Sequence, residues 1–520
     1  MGRRIGVVSH ARGGVSELSS PPASAAIAPA PRAYAAPREV VRAMTGLMLV
    51  LALASLDGNI VGPALPRIVS DLGGLAHLSW VVTAFAVAAT ASTPLYGKFS
   101  DLFGRRPAFF VSIGVFLAGS VLCGAAQSMA MLITSRAVQG IGAGGLIVLS
   151  QATIGDLVPP LERGRYQGLI AGVFALCSVA GPLLGGVITD QLSWPWIFYI
   201  NLPVGAAALA ILWVTLPAHQ PRASGPIDIA GFALIIGGTC SALLLLSWGG
   251  VVYAWLSLPI LALGVAALLL FGLLPLVERA AAEPAFPPRL FAEPVFATGV
   301  AGISLAVTAL FGSLAFVPLF FQLVMGMSAT EAGLRMAPVM GGLIVSSVLG
   351  GRQVSRSGRY KMFPIAGLAI ATAAYAGLSW AALSSVGGNG FDTILVMLGV
   401  GMGLVMPNIT TAVQNAVDPG DLGVATSTLG FFRSLGGAFG VAGAGMIIAA
   451  TLRATLDGTN ARSTADFGLT ALRALPTGQQ RALVGAYGHA LAYIFAAAAV
   501  IAAAAFATLL FMPEKPLRGR

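Results

Sequence analysis

Residues 97–106 read Gly-Lys-Phe-Ser-Asp-Leu-Phe-Gly-Arg-Arg, a short charged turn between two apolar stretches that are each long enough to cross a bilayer. A hairpin between two spanning helices needs few residues, yet this one is rich in charge and in glycine. Its charged residues are Lys98, Asp101, Arg105 and Arg106, and its glycines are Gly97 and Gly104. A charged turn of this kind between apolar segments is typical of membrane transporters.

The composition indicates a membrane protein along most of the chain. Hydrophobic residues make up 57% of the 520 residues and charged residues only 9%, which excludes a water-soluble globular protein. A spanning helix needs about 20 apolar residues. The sequence offers about fourteen such stretches, at 43–63, 79–97, 108–127, 129–149, 166–189, 197–216, 229–250, 256–277, 297–322, 333–351, 362–383, 392–413, 425–449 and 488–512. We therefore predict an all-α polytopic membrane protein.

The positions of the Lys and Arg residues set the orientation, because cytoplasmic loops retain positive charge. An even number of spans puts both termini on one side, and the basic residues concentrate on that side. We expect a disordered cytoplasmic tail at 1–42, an extracytoplasmic loop at 450–487 and a second cytoplasmic tail at 513–520. The formal charge of +10 then reflects topology and attraction to the lipid bilayer, and no nucleic-acid partner is needed.

The chain offers little support for an enzyme, a metal site or a nucleotide site. Its four histidines lie far apart in sequence, and no Cys or His residues have metal-ligand spacing. Lys98 follows a glycine, but Ser92 stands where a phosphate-binding loop requires its first glycine. We therefore expect no enzyme activity and no cofactor. The energy for uphill movement then comes from an ion gradient or from another subunit.

The charged turn has an echo in the second part of the chain. Three residues recur with the same internal spacing: Gly97, Gly104 and Arg105 in the first copy, and Gly351, Gly358 and Arg359 in the second. Duplicated helix bundles are a common transporter plan. We predict a first six-helix bundle at 43–216, a second at 297–512, and two extra helices with their linkers at 217–296. A chance similarity between two basic hairpins is the alternative.

Four further stretches carry a resemblance to a known family. They are Leu-Asp-Gly-Asn-Ile-Val-Gly-Pro-Ala-Leu-Pro at 56–66, Arg-Ala-Val-Gln-Gly-Ile-Gly-Ala-Gly at 136–144, Gly-Pro-Leu-Leu-Gly-Gly at 181–186 and Trp-Pro-Trp-Ile-Phe-Tyr-Ile-Asn-Leu-Pro at 194–203. With the charged turn, they make the chain resemble the fourteen-helix drug:proton antiporters of the major facilitator superfamily, the branch called DHA2 or EmrB/QacA-like. Pro195, Gly58 and Gly62 depart from the residues usual in that branch.

Asp57 is the main candidate for a functional residue. A carboxylate in the centre of a spanning helix costs about 2.5–3.5 kcal/mol on insertion scales, so it should face a partner or a wet cavity. Counting about 1.5 Å per residue puts Arg136, in the fourth span, at a similar depth, which makes a pair geometrically possible. Our hypothesis is that Asp57 takes up a proton in one state and releases it in the other, with Arg136 favouring its charged form. A fixed structural ion pair is the alternative.

Two other candidates lie elsewhere in the spans. Arg433, in the thirteenth span, is the comparable basic residue of the second half, and it could attract anionic groups or bond to backbone carbonyls. In the fifth span, regularly spaced glycines allow close helix packing and Pro182 predicts a kink. The resemblance implies an antiporter motif there, at the interface between the halves, made of Gly172, Gly181, Pro182, Gly185 and Gly186. Ordinary tight packing is the alternative.

The charged turn itself has two interpretations. Asp101 could face the positive N-terminal end of the eleventh helix, near residues 362–364, with Arg105 and Arg106 completing a charge cluster. The resemblance implies that this motif, with Gly97 and Gly104, acts as a latch that holds the cytoplasmic side closed. A topology anchor is the alternative, and it explains the arginines but not Asp101.

Together these features predict a proton-coupled exporter of amphipathic, cationic drugs or dyes, acting by alternating access in a bacterial plasma (inner) membrane. Its partners would be a small-molecule substrate, protons and the lipid bilayer, and the sequence leaves an accessory efflux subunit open. A dedicated exporter of a metabolite, such as a siderophore, antibiotic or lipid, is an alternative within the same class. A non-transporting membrane receptor is the alternative from another class.

Overall fold

The computed structural model describes residues 1–2, 37–73, 78–216, 228–250, 252–281, 283–327, 329–384, 389–455 and 477–517. Most of the predicted tail at 1–42, most of the predicted loop at 450–487 and the last three residues lie outside these ranges. Within the described residues the chain is helical apart from turns and one isolated bridge between Gly249 and Tyr253.

The first half contains five long helices followed by a short and a medium one. They are α1 (Pro37–Leu72), α2 (Leu78–Phe103), α3 (Arg105–Gly124), α4 (Met129–Leu157), α5 (Pro160–Gln191), α6 (Trp196–Tyr199) and α7 (Asn201–Thr215). Helix α1 packs against α5 and α7, and α4 packs against α2 and α3. Two apolar clusters made of residues from these helices form the core of this half.

A pair of helices and a short turn of helix connect the halves: α8 (Ile229–Trp248), α9 (Leu258–Ala280) and α10 (Pro288–Phe291). The second half then follows as α11 (Pro294–Leu314), α12 (Val317–Leu323), α13 (Ala329–Leu334), α14 (Ala337–Ser357), α15 (Met362–Leu383), α16 (Asn389–Ala416), α17 (Leu422–Thr455) and α18 (Thr477–Leu510). It has a separate apolar core.

The two halves repeat one packing pattern. Helices α11, α14, α15, α16, α17 and α18 make most of the pairwise contacts that α1, α2, α3, α4, α5 and α7 make in the first half. The echo in the sequence falls at equivalent turns: Gly104, between α2 and α3, has φ 93°, and Gly358, between α14 and α15, has φ 71°. A side chain is strained at such angles, so both turns require glycine.

The halves meet along two crossed pairs of helices. Helix α2 of the first half packs against α17 of the second, and α14 of the second half packs against α5 of the first. The extra helices α8 and α9 pack against each other, and α8 also contacts α2 and α17. The extra pair therefore lies beside one of the two junctions.

The helices confirm the predicted all-α polytopic fold. Among the described residues, thirteen helices are long and apolar enough to cross a membrane. The second predicted span, 79–97, lies within α2, which is 26 residues long and carries the charged turn at its end. Each of the fourteen predicted spans thus corresponds to a helix of the structure.

Candidate functional site

Asp57 lies in the interior of the first bundle. Its side chain is 0% exposed. It belongs to α1, which packs on α5. The apolar residues that flank it in sequence bury this part of the helix in the core of the half. A charged group in such a place requires partners that satisfy its oxygens.

Those partners come from α4 and from the start of α7. Arg136 Nη1 lies 2.7 Å from Asp57 Oδ2, so the structure brings together the two residues that the sequence suggested as a pair. Gln139 Nε2 and Asn201 Nδ2 both donate hydrogen bonds to Asp57 Oδ1, at 2.7 and 2.9 Å. Each carboxylate oxygen therefore accepts at least one hydrogen bond, which is the pattern expected for the charged form.

Arg136 is itself fixed by three further contacts. Its Nη1 also donates to Gln139 Oε1 at 2.7 Å, and its Nε donates to the carbonyl of Val81 in α2 at 3.1 Å. The guanidinium carbon lies 4.0 Å from the ring centroid of Phe85, which adds a cation–π interaction. The arginine thus has one well-defined position.

Ser120 of α3 completes the network. Its Oγ accepts hydrogen bonds from Gln139 Nε2 at 2.7 Å and from Asn201 Nδ2 at 3.2 Å. The two amide groups therefore each divide their two N–H bonds between Asp57 and Ser120. The network joins five helices around one carboxylate, and removing one partner of a buried ion pair typically costs about 3–5 kcal/mol.

Three members of this network were not identified from the sequence: Ser120, Gln139 and Asn201. Gln139 and Asn201 lie inside the stretches 136–144 and 194–203 that carry the family resemblance. A weak signal was available, because Gln139 follows Arg136 by three residues, which puts both on one helix face.

The charged turn reaches from one half to the other. The carboxylate of Asp101 accepts hydrogen bonds from the backbone N–H groups of Gly423 and Val424, at 3.2 and 2.8 Å. These groups belong to the first turn of α17, whose unpaired N–H groups and positive dipole end favour a carboxylate. Arg105 Nη1 lies 2.8 Å from Asp101 Oδ1, and Arg105 Nε lies 2.8 Å from Asp156 Oδ2 in α4.

The prediction that Asp101 faces the helix that begins near residues 362–364 is therefore wrong. That helix is α15, which packs against α16 and α18 on another side of its bundle, whereas α17 lies directly against α2. Gly97 makes this close approach possible, since a Cβ at this position would collide with the side chain of Ser427.

The remaining residues of the turn have separate contacts. Arg106 does not join the cluster around Asp101; its guanidinium carbon lies 3.8 Å from the ring centroid of Trp213 in α7. Lys98 forms an ion pair with Glu283, in the segment after α9. The turn therefore contacts α4, α7, α17 and the linker that follows the extra helices.

The glycines of the fifth span pack mainly within the first half. A Cβ on Gly181 would lie 2.6 Å from Cβ of Asn59, and one on Gly185 would overlap the carbonyl of Ile60. Both contacts are on α1, immediately after Asp57. The position expected for this motif, between the halves, is occupied instead by Gly168, which faces Val348 of α14.

The other residues of that motif make few contacts. A Cβ at Gly172 or Gly186 would meet no atom within 4 Å, and Pro182 is exposed. Helix α5 is continuous from Pro160 to Gln191 through this proline.

The second-half candidates are not part of one site. Gly351 is buried within α14, Gly358 ends that helix, and Arg359 is exposed. Arg433 is half-buried in α17, one helical turn from Gly430, which borders Thr93, and one from Gly437, which borders Phe311. No hydrogen bond or ion pair of Arg433 with another described residue is present, so the expected bonds to backbone carbonyls are not seen there.

Comparison with known proteins agrees with this architecture. The model of the Major Facilitator Superfamily matches residues 47–229 and 229–441. An uncharacterized MFS-type transporter of Mycobacterium tuberculosis (strain ATCC 25618 / H37Rv) is 38% identical over 483 residues, which cover 91% of this chain and 69% of that protein. Multidrug transporter protein MdtP of Bacillus subtilis (strain 168) is 40% identical over 412 residues, which cover 78% of this chain and 74% of that protein.

A solved structure shares the fold. The human organic anion transporter MFSD10 superposes with a TM-score of 0.62 at 18% identity, over 91% of this chain and 100% of that chain. The repeated bundles, the membrane-spanning helices and the family match lead to one conclusion: this chain is a multi-pass membrane protein that belongs to the Major Facilitator Superfamily of transporters.

Proposed function

We propose that this transporter is a proton-coupled exporter of amphipathic, cationic drugs or dyes, and that it belongs to the fourteen-helix drug:proton antiporter branch. The names of relatives such as multidrug transporter protein MdtP and multidrug resistance protein 3 of Bacillus subtilis support export as the direction of transport. The bacterial plasma membrane is the location that fits these relatives.

The observation that carries the proposal is the bonding of Asp57. Its Oδ1 accepts two N–H donors and its Oδ2 accepts one. Protonation of Asp57 would remove the negative charge that pairs with Arg136, and a proton on Oδ1 would also compete with its two N–H donors. Binding of a proton therefore weakens the ion pair with Arg136, and a carrier that alternates between two states needs such a competition.

The position of Asp57 links this competition to movement of the halves. The residues that follow it on α1, Asn59 and Ile60, contact Gly181 and Gly185 of α5, and α5 contacts α14 of the other half. A change in how α1 packs around Asp57 is therefore transmitted to one of the two junctions. At the other junction, Asp101 of α2 binds the first turn of α17. This contact keeps the end that carries the charged turn closed in this conformation.

The energy available from one proton is sufficient for useful export. Moving one charge through about 100 mV is worth roughly 2.3 kcal/mol, which corresponds to about a fiftyfold concentration ratio at about 1.4 kcal/mol per decade. We expect Asp57 to act as the proton carrier, and to meet a cationic substrate only in a conformation in which α1 and α4 have separated, since its oxygens are buried in this one.

One observation favours a second candidate, a dedicated exporter of an acidic metabolite. Arg433 lies half-buried in a spanning helix with no bonded partner among the described residues, and an uncompensated cation in a membrane protein usually marks a substrate or ion path. Testing anionic compounds together with cationic ones separates these candidates.

The test uses inside-out vesicles that contain wild type, Asp57→Asn or Asp71→Asn. Asp71 is a matched control because it lies on the same helix, is partly exposed and pairs with Arg67 at 3.4 Å. The vesicle lumen is acidified, and proton release is followed as cationic and anionic compounds are added. We expect cationic compounds to trigger release by wild type and Asp71→Asn but not by Asp57→Asn.

Two other outcomes would contradict parts of the proposal. Release by all three proteins would retain antiport but remove Asp57 as its carrier. Release by wild type only with anionic compounds would replace the drug exporter by the acidic-metabolite exporter.

A further inference from the structure

Another buried carboxylate lies away from Asp57 and Asp101, at the end of the extra helix α9. Glu278 is only 3% exposed. Its Oε2 accepts a hydrogen bond from the backbone N–H of Phe286 at 3.0 Å, whereas its Oε1 has no hydrogen-bond partner among the described residues. An orphaned oxygen on a buried carboxylate requires an explanation.

A second orphaned oxygen borders the same space. Asp228 caps the start of α8, where its Oδ1 accepts a hydrogen bond from the N–H of Gly231 at 2.8 Å, and its Oδ2 is also without a partner in the described part of the chain. A Cβ on Gly231 would overlap Asp228 Oδ2 and would lie 2.9 Å from Glu278 Oε1. The two unpartnered oxygens therefore border one small space, which only a glycine at this position leaves open.

Among the described residues, the other charged groups nearby do not neutralise this pair. Lys98 of α2 is close enough to Glu278 to act on it electrostatically, but it already forms an ion pair with Glu283. The face toward α17 is apolar, since Phe286 packs on Phe431 and Phe432 with ring centroids 5.3 and 6.0 Å away. Two negative charges in this space would therefore repel each other with little compensation.

A single proton resolves both difficulties. On either carboxyl group it removes one charge, and the resulting O–H can donate to the free oxygen of the other group. We propose that Glu278 and Asp228 hold one proton between them and form a proton-binding site separate from Asp57. No group of three or more acidic, His or Cys side chains that could hold a metal ion occurs in the described ranges, which favours a proton over a divalent cation.

The site lies where it can influence the junction of the halves. Glu278 is beside the ion pair of Lys98 with Glu283, and Lys98 precedes by three residues the Asp101 that caps α17. The site is therefore on the same end of the protein as the charged turn, the predicted cytoplasmic end. A change in proton occupancy there alters the charge next to the contact between α2 and α17. This inference does not depend on the role proposed for Asp57.

The experiment is infrared difference spectroscopy of the full-length protein in lipid nanodiscs, between acidic and alkaline buffers. We expect wild type to show the C=O band of a protonated carboxyl group, identified by its shift in D2O. The band should be lost in Glu278→Gln and kept in the control Glu283→Gln, which changes the neighbouring acid. It should also be kept in Asp57→Asn, so that failure of this proposal and failure of the proposed function are distinguishable.

A second variant tests the sharing of the proton. Asp228→Asn retains the oxygen that caps α8 but removes the repelling charge, so Glu278 should lose its proton at a lower pH than in wild type. A spectrum of Glu278→Gln identical to that of wild type would overturn the proposal. A band that responds to added Na⁺ or Mg²⁺ at constant pH would also overturn it, in favour of a cation site.

Discussion

Asp101 and Val424 are 323 residues apart in sequence, and a 2.8 Å hydrogen bond from the backbone N–H of Val424 to the Asp101 carboxylate joins them across the boundary between the two halves. The acceptor is a buried charge at the end of α2, and the donor belongs to the first turn of α17. This contact depends on the relative position of the halves, so it must break whenever α2 and α17 separate.

We therefore expect Asp101→Asn to weaken closure of this end of the protein. Hydrogen bonds to charged groups contribute about 1.5–3 kcal/mol, so the open population should rise roughly tenfold to a hundredfold. Distances between spin labels at the exposed positions 103 and 420 measure this population. Asp190→Asn, an exposed acid at the end of α5, should leave the distances unchanged. Equal distributions in both variants would remove the latch role of Asp101.

Gly97→Ala should separate α2 from α17 by a different route. The added methyl group would collide with Ser427 and lie 2.8 Å from the carbonyl of Gly423. We expect a shift of the same label distances and slower exchange, with partial recovery when Ser427→Gly is added. Gly114→Ala is the control, because no atom lies within 4 Å of the added group. Failure of Ser427→Gly to restore any closure would argue against this contact.

Gln139→Leu should disturb the hydrogen-bond network around Asp57. The substitution removes a donor to Asp57 and to Ser120 and an acceptor for Arg136, so stability should fall by about 1–3 kcal/mol. Exchange should also become slower, because Asp57 and Arg136 would no longer be held in one geometry. Thermal unfolding in detergent and proton-release assays measure the two effects. Gln191→Leu, at the exposed end of α5, should change neither quantity.

The glycines of α5 provide a comparison within one helix. Gly181→Val should impair exchange strongly, because its side chain would displace Asn59 on α1 next to Asp57. Gly172→Val should be tolerated, since the space around Gly172 is open. Exchange rates, corrected for the amount of inserted protein, test this difference. Equal loss in both variants would mean that the glycines serve helix insertion and not the contact with α1.

Much of the fold could be predicted from the sequence, because apolar length and basic clusters directly reflect the bilayer. Each predicted span has a helix, and the repeated glycines occupy equivalent turns. Depth counted along two spans puts Asp57 and Arg136 at a similar level, and the family resemblance implies that both helices border a central cavity. The predicted spans and depths depend only on local sequence and on the thickness of the membrane.

The contacts of the candidate site depend on how each helix is rotated about its axis and on which helices are neighbours. The pattern of a single sequence does not determine either of these. Asp101 was assigned to the wrong helix because several helix starts occur at the same end of the protein. Gln139 and Asn201 are neutral, so only the spacing of Gln139 from Arg136 indicates a partner of the charge. Glu278 lies near the end of an apolar run, where the sequence pattern predicts an acid in contact with water, and the packing of α8 and Phe286 buries it.

The two crossed junctions between the halves differ in chemistry. At the α2–α17 junction the carboxylate of Asp101 accepts hydrogen bonds from the first turn of α17. Counted from the repeated glycines, Ser355 of α14 is the pseudo-symmetric equivalent of Asp101. Its hydroxyl donates to the carbonyl of Gly351 in its own helix. Helix α5 begins at Pro160 after the N-cap residue Pro159 and has no side-chain cap. The contact at the α2–α17 junction therefore depends on the charge of Asp101, and neither Ser355 nor Pro159 supplies such a charge at the other junction. A change of that charge would act on one junction and leave its pseudo-symmetric counterpart unaffected.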